Sequence, residues 1–132
     1  MIDDDDALCD TIREVLRDEY AVASAPHGAA ALDLVKVHEP ALILLDLRMP
    51  IMDGWSFVQQ YRRVADVPAR VVVMSAAGDL AHIANQLGAD GHLQKPFDLN
   101  KLQTIVASEL ATPPGARNEA GRTDRSSSAP LT

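Results

Sequence analysis

Short, uninterrupted apolar runs alternate with amphipathic segments along most of the chain. Residues 41–45 (ALILL) and 71–74 (VVVM) are apolar at every position, a pattern typical of strands that are buried on both faces of a parallel sheet. Residues 21–25 and 91–94 are weaker strand candidates. Residues 1–2 (MI) look like the end of a further strand, so the pattern predicts five strand positions, the first of them truncated.

Between these runs, apolar residues recur at the three- and four-residue spacing of amphipathic helices. The five segments with this spacing are residues 8–16, 29–38, 57–61, 80–87 and 99–110. Gly88 is expected to end the fourth helix, and Asp98 is expected to cap the start of the fifth. The alternation of strands and helices predicts an α/β fold, a doubly wound parallel sheet with right-handed crossovers.

The composition changes after residue 111. Residues 112–132 contain one large aliphatic residue, Leu131, together with three prolines, two glycines and the run SSS. Such a segment buries too little apolar surface to offset the entropy of ordering it. We therefore predict a single domain over residues 1–111 and a disordered tail over residues 112–132.

Charge and cysteine content exclude several classes of protein. The net charge is −7, and none of that excess lies in the tail, which has three arginines against two acidic residues. A negative surface repels phosphate backbones and anionic lipids, so neither direct nucleic-acid binding nor membrane binding is expected. Cys9 is the single cysteine, no apolar run approaches the ~20 residues of a membrane span, and residues 1–6 (MIDDDD) do not resemble a signal peptide. We therefore predict a cytoplasmic location.

Polar residues follow four of the five predicted strand positions. Four aspartates, residues 3–6, follow the first strand position, Asp46 follows the third, Ser75 the fourth and Lys95 the fifth. The carboxyl ends of parallel strands meet at one edge of the sheet, where α/β folds bind their ligands. Clustered carboxylates without cysteine or histidine suit Mg²⁺ or Mn²⁺, and a lysine and a hydroxyl beside them suit phosphoryl transfer. Asp46, at the end of an apolar strand, is the candidate nucleophile.

Five stretches of the sequence together resemble the receiver domains of two-component response regulators. They are IDDDDAL, LILLDLRMPIMDG, VVVMSA, GAD and HLQKPF, in the order and spacing of that family, and the resemblance covers about residues 2–110. It implies a flavodoxin-like, doubly wound sheet of five parallel strands in the order 2-1-3-4-5. A stand-alone receiver domain is expected, because residues 112–132 are too few and too polar for a DNA-binding module.

The resemblance implies a role for each residue of the acidic cluster. Asp46 would be the phosphoacceptor. Asp3 and Asp4 would bind Mg²⁺ (or Mn²⁺) together with Asp46 and the backbone carbonyl of Arg48, Asp4 directly and Asp3 largely through water. Residues 5–6 are expected instead to cap and begin the first helix.

By the same resemblance, Ser75 and Lys95 would each bind an oxygen of the phosphoryl group, and Ser75 would move inward on activation. Pro96 would follow a cis peptide bond, and His92 occupies the family's aromatic switch position. A sheet-edge histidine without a switching role is the alternative for His92.

The resemblance also implies the partners. A sensor histidine kinase or a histidine phosphotransfer protein would donate the phosphoryl group, and the domain would catalyse its own phosphorylation and dephosphorylation rather than act as a classical enzyme. Phosphorylation would change a face formed by residues 80–87, 92–94 and 99–110, which would bind a downstream protein target.

Two other functions and one structural question stay open at this stage. A phosphate-inert pseudo-receiver, acting only as a binding module, is one alternative. A haloacid-dehalogenase-like phosphatase also uses an aspartate and Mg²⁺, but it needs a second aspartate two residues after the nucleophile, where this chain has Arg48. The first strand is shorter than the usual five or six residues, roughly, so either the chain begins at a downstream methionine of a longer reading frame or the fold tolerates a gap. Either case bears on the placement of Asp3 and Asp4.

Overall fold

Three parallel strands form the centre of the described part of the chain, and helices pack on both faces of the sheet. The computed structural model describes residues 1–48 and 53–111. The predicted tail, residues 112–132, lies outside the described residues. The elements in chain order are α1 (Asp6–Leu16), α2 (Gly28–Val37), β1 (Leu42–Asp46), α3 (Gly54–Val64), β2 (Arg70–Ser75), α4 (Leu80–Leu87), β3 (Gly91–Gln94) and α5 (Leu99–Leu110).

The order of the strand positions follows from two single-residue bridges. The strands lie in the order β1–β2–β3, all parallel. Ile2 bridges Leu45 of β1 on one side and Ala25 on the other. Two further positions therefore extend the sheet beyond β1, and the five positions follow the order 2-1-3-4-5. This confirms the doubly wound α/β fold that the sequence predicts.

The two amino-terminal strand positions are shorter than the apolar pattern predicts. Residues 21–25 are expected to form a strand, but within this segment only Ala25 forms a bridge, with Ile2. A strand needs a paired neighbour along its length, and the neighbouring position contains residues 1–3 alone. The truncation of the first strand thus reduces the second one as well.

The apolar runs of the strands divide between two core clusters. Side chains of successive residues in a strand point to opposite faces. Ile43 and Leu45 of β1 therefore pack with α2, α3 and α4, whereas Leu44 packs with α1 and α5. In β2, all six residues are buried. Burial on both faces explains why these strands are apolar at almost every position.

Local signals fix the ends of several helices. Gly88 has a φ of +74° and ends α4, and the Asp98 carboxylate caps α5 by accepting a hydrogen bond from the backbone N–H of Lys101. Both confirm the sequence-based predictions. The sequence assigns no structural role to His27, yet its Nδ1 accepts a hydrogen bond from the backbone N–H of Ala30 and caps α2.

In the part of the chain that the structure describes, none of the helices is long and apolar enough to cross a bilayer.

An apolar cleft of about 650 Å³ lies where a longer first strand would run. Met1 and Ile2 stand at one end of it, and the first half of β1 forms one wall. Its apolar lining includes Leu34 of α2 and Val106 of α5, so side chains from both faces of the sheet meet in the cleft.

We predict that filling this cleft covalently stabilises the domain. Extension of the chain by Val-Leu-Ile-Val before Met1 is expected to raise the urea midpoint of unfolding. Each added residue gains roughly 1.5–3 kcal/mol by burial and loses about 1–2 kcal/mol of backbone entropy, so the net gain is a few kcal/mol. A Gly-Ser-Gly-Ser extension is the matched control and should leave the midpoint unchanged. Equal midpoints for the two extended chains would show that the cleft does not accept a strand.

Candidate functional site

Backbone hydrogen bonds hold the first residues of the chain against the sheet despite the short first strand. The backbone N–H of Ile2 donates to the carbonyl of Leu44 over 2.8 Å, and the N–H of Asp46 donates to the carbonyl of Ile2 over 2.8 Å. On the other side, the N–H of Asp3 donates to the carbonyl of Ala25 over 3.1 Å. Asp3 therefore lies beside the end of β1, and the short first strand does not displace it from the carboxyl edge of the sheet.

Three carboxylates converge at this edge. Asp3, Asp4 and Asp46 each offer an oxygen, and the three oxygens lie within 4.8 Å of one another. Asp3 and Asp46 are buried, at 1% and 5% exposed, and Asp4 is exposed. Carboxylates this close repel one another unless a cation lies among them. An all-oxygen set of this kind fits a hard divalent cation such as Mg²⁺.

The Lys95 ammonium lies among these carboxylates. Its Nζ is 2.7 Å from Oδ2 of Asp3 and 3.8 Å from Oδ2 of Asp46. Burial lowers the pKa of Lys95, but the hydrogen bond and charge of Asp3, with the charge of Asp46, outweigh burial and raise the pKa above its ordinary value. Lys95 is therefore a permanent positive charge at this site.

The Asp46 carboxyl is harder to ionise than an ordinary aspartate. Burial raises its pKa to about 6, and the charge of Asp3 acts in the same direction, while the backbone hydrogen bond from Arg48 and the charge of Lys95 oppose the rise. The Arg48 N–H donates to Oδ1 of Asp46 over 3.2 Å. A cation bound next to Asp46 would favour the ionised form.

Ser75 and His92, the other two predicted switch residues, differ in burial. Ser75 ends β2 and is buried, and its Oγ accepts a hydrogen bond from the backbone N–H of Ala77 over 3.1 Å. His92 lies on β3 with an exposed side chain. It precedes Lys95 by three residues, which places it about 10 Å along the strand from the acidic edge. The peptide bond between Lys95 and Pro96 is cis.

A comparison with known families identifies the domain. The model of the response regulator receiver domain matches residues 1–107. The chain belongs to the receiver-domain family.

Curated relatives of this receiver domain differ in length. Sporulation initiation phosphotransferase F of Bacillus subtilis is 35% identical over 113 residues, which are 83% of this chain and 90% of that protein. The chemotaxis protein CheY of Halobacterium salinarum is 27% identical over 113 residues and is covered to 93%. By contrast, the chain spans 38% of the probable transcriptional regulator ycf27 of Cyanophora paradoxa, at 34% identity.

Solved structures share the fold. The receiver domain of NtrX from Brucella abortus matches 84% of this chain and 96% of that chain, with a TM-score of 0.76 and 24% identity. A CheY-like receiver domain protein from Methanospirillum hungatei covers 83% of this chain and 90% of its own, with a TM-score of 0.75 and 21% identity. At these identities the two structures show the fold alone.

Two residues have a role near the site of this receiver domain that the sequence did not predict. Gly54 was not singled out, and Asp5 was expected only to cap α1, which it does by accepting a hydrogen bond from the Leu8 N–H. A Cβ atom on Gly54 would lie 3.1 Å from the carbonyl oxygen of Asp46 and 2.9 Å from a side-chain carbon of Leu47, so glycine lets α3 start close to the end of β1. The backbone N–H of Asp5 donates to Oδ1 of Asp3 over 3.0 Å and orients that carboxylate. The Asp-Gly pair at 53–54 was the available signal for Gly54.

The raised pKa of Asp46 predicts a pH-dependent effect of Asp46→Asn. Burial raises the pKa of Asp46 in the folded state to about 6, above the ordinary aspartate value of 3.8. The folded state therefore binds more protons than the unfolded state in this range, and stability falls as pH rises between the two values. Without metal, Asp46→Asn should raise the urea midpoint at pH 7.5, and by less at pH 5.

The matched control for this prediction is Asp53→Asn. The Asp53 side chain accepts a hydrogen bond from the N–H of Ser56, and an asparagine oxygen can keep that cap, so its midpoint should stay near that of the parent at both pH values. A gain for Asp46→Asn that is equal at pH 5 and pH 7.5 would contradict the proposed cost of burying the Asp46 charge.

Proposed function

We propose that this receiver domain accepts a phosphoryl group on Asp46 from the phosphohistidine of a sensor histidine kinase or a histidine phosphotransfer protein. The observation that carries the proposal is the convergence of Asp46 with Asp3, Asp4 and Lys95 at the carboxyl edge of the sheet. The proposed domain is residues 1–111, with residues 112–132 as a tail, in the cytoplasm.

Asp46 is the proposed nucleophile because the strand fixes its position and because a bound cation would favour its ionised form. It ends a strand that is buried on both faces, and its backbone is bonded to Ile2. In the transfer, a carboxylate oxygen of Asp46 bonds to phosphorus, the phosphorus–nitrogen bond breaks, and the imidazole nitrogen of the donor leaves with that electron pair. Asp46 must be ionised to attack, and a cation bound among the carboxylates would favour that ionised form.

Asp3, Asp4 and Asp46 are the proposed side-chain ligands of Mg²⁺ (or Mn²⁺), with the backbone carbonyl of Arg48 as a further ligand. The donor set supports this, because three carboxylate oxygens lie within 4.8 Å. When bound, the cation would supply positive charge for the phosphoryl oxygens. The exposed Asp4 gives the site an opening to solvent from which a cation can enter.

Lys95 and Ser75 are proposed to bind the phosphoryl oxygens after transfer. The Lys95 ammonium, 3.8 Å from Asp46, would make a charge-assisted hydrogen bond to one oxygen. The Ser75 hydroxyl accepts a hydrogen bond from the Ala77 N–H and still has its own proton, which it would donate to another phosphoryl oxygen. Ser75 would move inward to reach that oxygen, and the loop after β2, which leads into α4, would move with it.

The proposed output is a change in the face formed by α4, β3 and α5, where His92 is exposed. This face would bind a downstream protein target, with no direct contact to nucleic acid or membrane. The name of the Bacillus subtilis relative, a phosphotransferase, supports onward transfer of the phosphoryl group as a second route of output.

Phosphorylation of Asp46 can be tested directly by intact mass spectrometry. Incubation with acetyl phosphate and Mg²⁺ should add the mass of one phosphoryl group, and a chelator should prevent it. Asp46→Asn, which keeps the shape but not the nucleophile, should show no gain, whereas Asp53→Asn should react like the parent. Labelling that survives Asp46→Asn would exclude Asp46 as the acceptor, and a parent chain that never reacts would indicate the phosphate-inert pseudo-receiver.

Metal binding should appear as stabilisation of the folded chain. A ligand that binds the folded state alone raises stability as its concentration exceeds its dissociation constant, so Mg²⁺ should raise the urea midpoint. Asp4→Asn removes an exposed ligand and should shrink that gain at least about twofold. Asp18→Asn removes an exposed charge outside the cluster and should keep the full gain. Equal gains in both variants would argue against Asp4 as a ligand.

A further inference from the structure

We propose that Arg62 of α3 is a positioning residue for the face formed by α4, β3 and α5: it fixes the carboxyl-terminal end of α4, so that phosphorylation displaces the amino-terminal end alone. The Arg62 Nη1 group donates to the carbonyl oxygen of Leu87 over 2.8 Å, and Nη2 donates to that of Gly88 over 2.7 Å. The displacement rests on the proposed function, whereas the fixed end is a property of the unphosphorylated chain.

The guanidinium of Arg62 suits the end of a helix. The last carbonyl groups of a helix have no partner within the helix, and a positive charge is favourable at the negative end of the helix dipole. The last turn of α4 itself contains no basic residue, so α3 supplies the charge that α4 lacks. The planar fork of an arginine binds two carbonyl groups at once, which the single ammonium of a lysine does less well.

Gly88 makes room for this guanidinium. A Cβ atom on Gly88 would lie 3.2 Å from Nη1 of Arg62 and 3.5 Å from Nη2. The φ of +74° already favours glycine at the end of α4, and the approach of the guanidinium adds a second requirement for a residue without a side chain. The end of α4 is therefore shaped both by its own backbone and by a side chain of α3.

The helix that carries Arg62 is itself held firmly to the sheet. Phe57, Val58 and Tyr61 of α3 are buried in the core. The Tyr61 hydroxyl also accepts a hydrogen bond from the backbone N–H of Ala69, just before β2, over 2.8 Å. Because α3 is fixed by both packing and a directional bond, it gives Arg62 a rigid base from which to hold α4.

The segment that follows α4 is fixed as well. The backbone N–H of Asp90 donates to the carbonyl of Val71 over 2.8 Å, and the Val71 N–H donates to Oδ2 of Asp90 over 2.8 Å. The buried Arg70 lies 3.8 Å from Oδ1 of Asp90 and donates through Nε to Glu109 of α5 over 2.8 Å. The carboxyl-terminal end of α4 therefore lies between α3 and a segment that β2 holds in place.

The amino-terminal end of α4 is held differently. Within residues 1–48 and 53–111, the Asp79 side chain makes no capping hydrogen bond to α4, and a Cβ atom on Gly78 would have no atom within 4 Å. Leu80 is buried in the core, but apolar packing is non-directional and permits a tilt. This end follows the loop after Ser75, which would move on phosphorylation, so α4 would tilt about the end that Arg62 holds.

Amide hydrogen exchange measured by NMR tests the fixed end in the unphosphorylated chain. The N–H groups of Gly88 and Ala89 bond to carbonyl groups in the last turn of α4, so Arg62→Met should make them exchange at least about tenfold faster. Arg63→Met makes the same change at the next, exposed position of α3 and should leave both rates unchanged. The N–H of Leu102 in α5 is the internal reference and should keep its rate in both variants.

Three results would overturn the role of Arg62. They are equal rates in the parent and Arg62→Met, equal acceleration in Arg62→Met and Arg63→Met, and acceleration of Leu102 as large as that of Gly88, which would mean global destabilisation. Arg62→Lys, which keeps the charge but not the fork, should give rates between those of the parent and Arg62→Met.

Distances between spin labels test the tilt. One label replaces Val37 of α2, which is 76% exposed, and the other replaces His82 in the first turn of α4 or Gln86 in its last turn, with Cys9→Ala in every chain. After phosphorylation with acetyl phosphate and Mg²⁺, the distance to position 82 should change by about 2 Å, and the distance to position 86 by less than about half as much. In Arg62→Met, the two distances should change alike.

Intact mass of the same samples reports phosphorylation separately from the distances. A phosphorylated parent in which position 86 moves as far as position 82, or in which neither moves, would overturn the tilt about Arg62 and leave the proposed function standing. A parent chain that takes up no phosphoryl group would overturn the proposed function and the tilt with it. The exchange rates of Gly88 and Ala89 would still decide whether Arg62 fixes the end of α4.

Discussion

The Lys95 ammonium is the charge on which the arrangement of the carboxyl edge depends. Asp3 and Asp46 are almost fully buried beside the exposed Asp4, and charges taken out of water are costly unless they are paired. Lys95 lies within 2.7 Å of Asp3 and within 3.8 Å of Asp46, so one cation faces two buried anions. Burial and the charge of Asp3 raise the pKa of Asp46 by more than the charge of Lys95 lowers it, so the pKa stays above its ordinary value.

Hydrogen bonds of the backbone supply the second constraint. Ile2 is a strand of one residue, yet its bonds to Leu44 and Asp46 place Asp3 next to the end of β1. The carboxylates thus meet at one end of the first strand position, and the apolar cleft lies at its other end. The chemistry at one end keeps its geometry while the packing at the other end is incomplete, because sheet pairing acts locally, residue by residue.

Much of the fold could be predicted from the sequence. The runs at 41–45 and 71–74 predict strands buried on both faces, and they are β1 and β2. Gly88 and Asp98 predict helix ends, because left-handed backbone and side-chain caps are local properties. The prediction of a full strand at 21–25 was wrong, because a strand needs a paired neighbour along its length and the neighbouring position contains residues 1–3 alone.

For the site, the sequence by itself determined which chemical groups are available: aspartates, a serine and a lysine at strand ends, in the motifs of receiver domains. Only the tertiary structure decided how they pair. It places Lys95 nearer to Asp3 than to Asp46 and leaves Asp4 exposed. Distances and burial of this kind arise from segments up to 92 residues apart, and no local pattern encodes them.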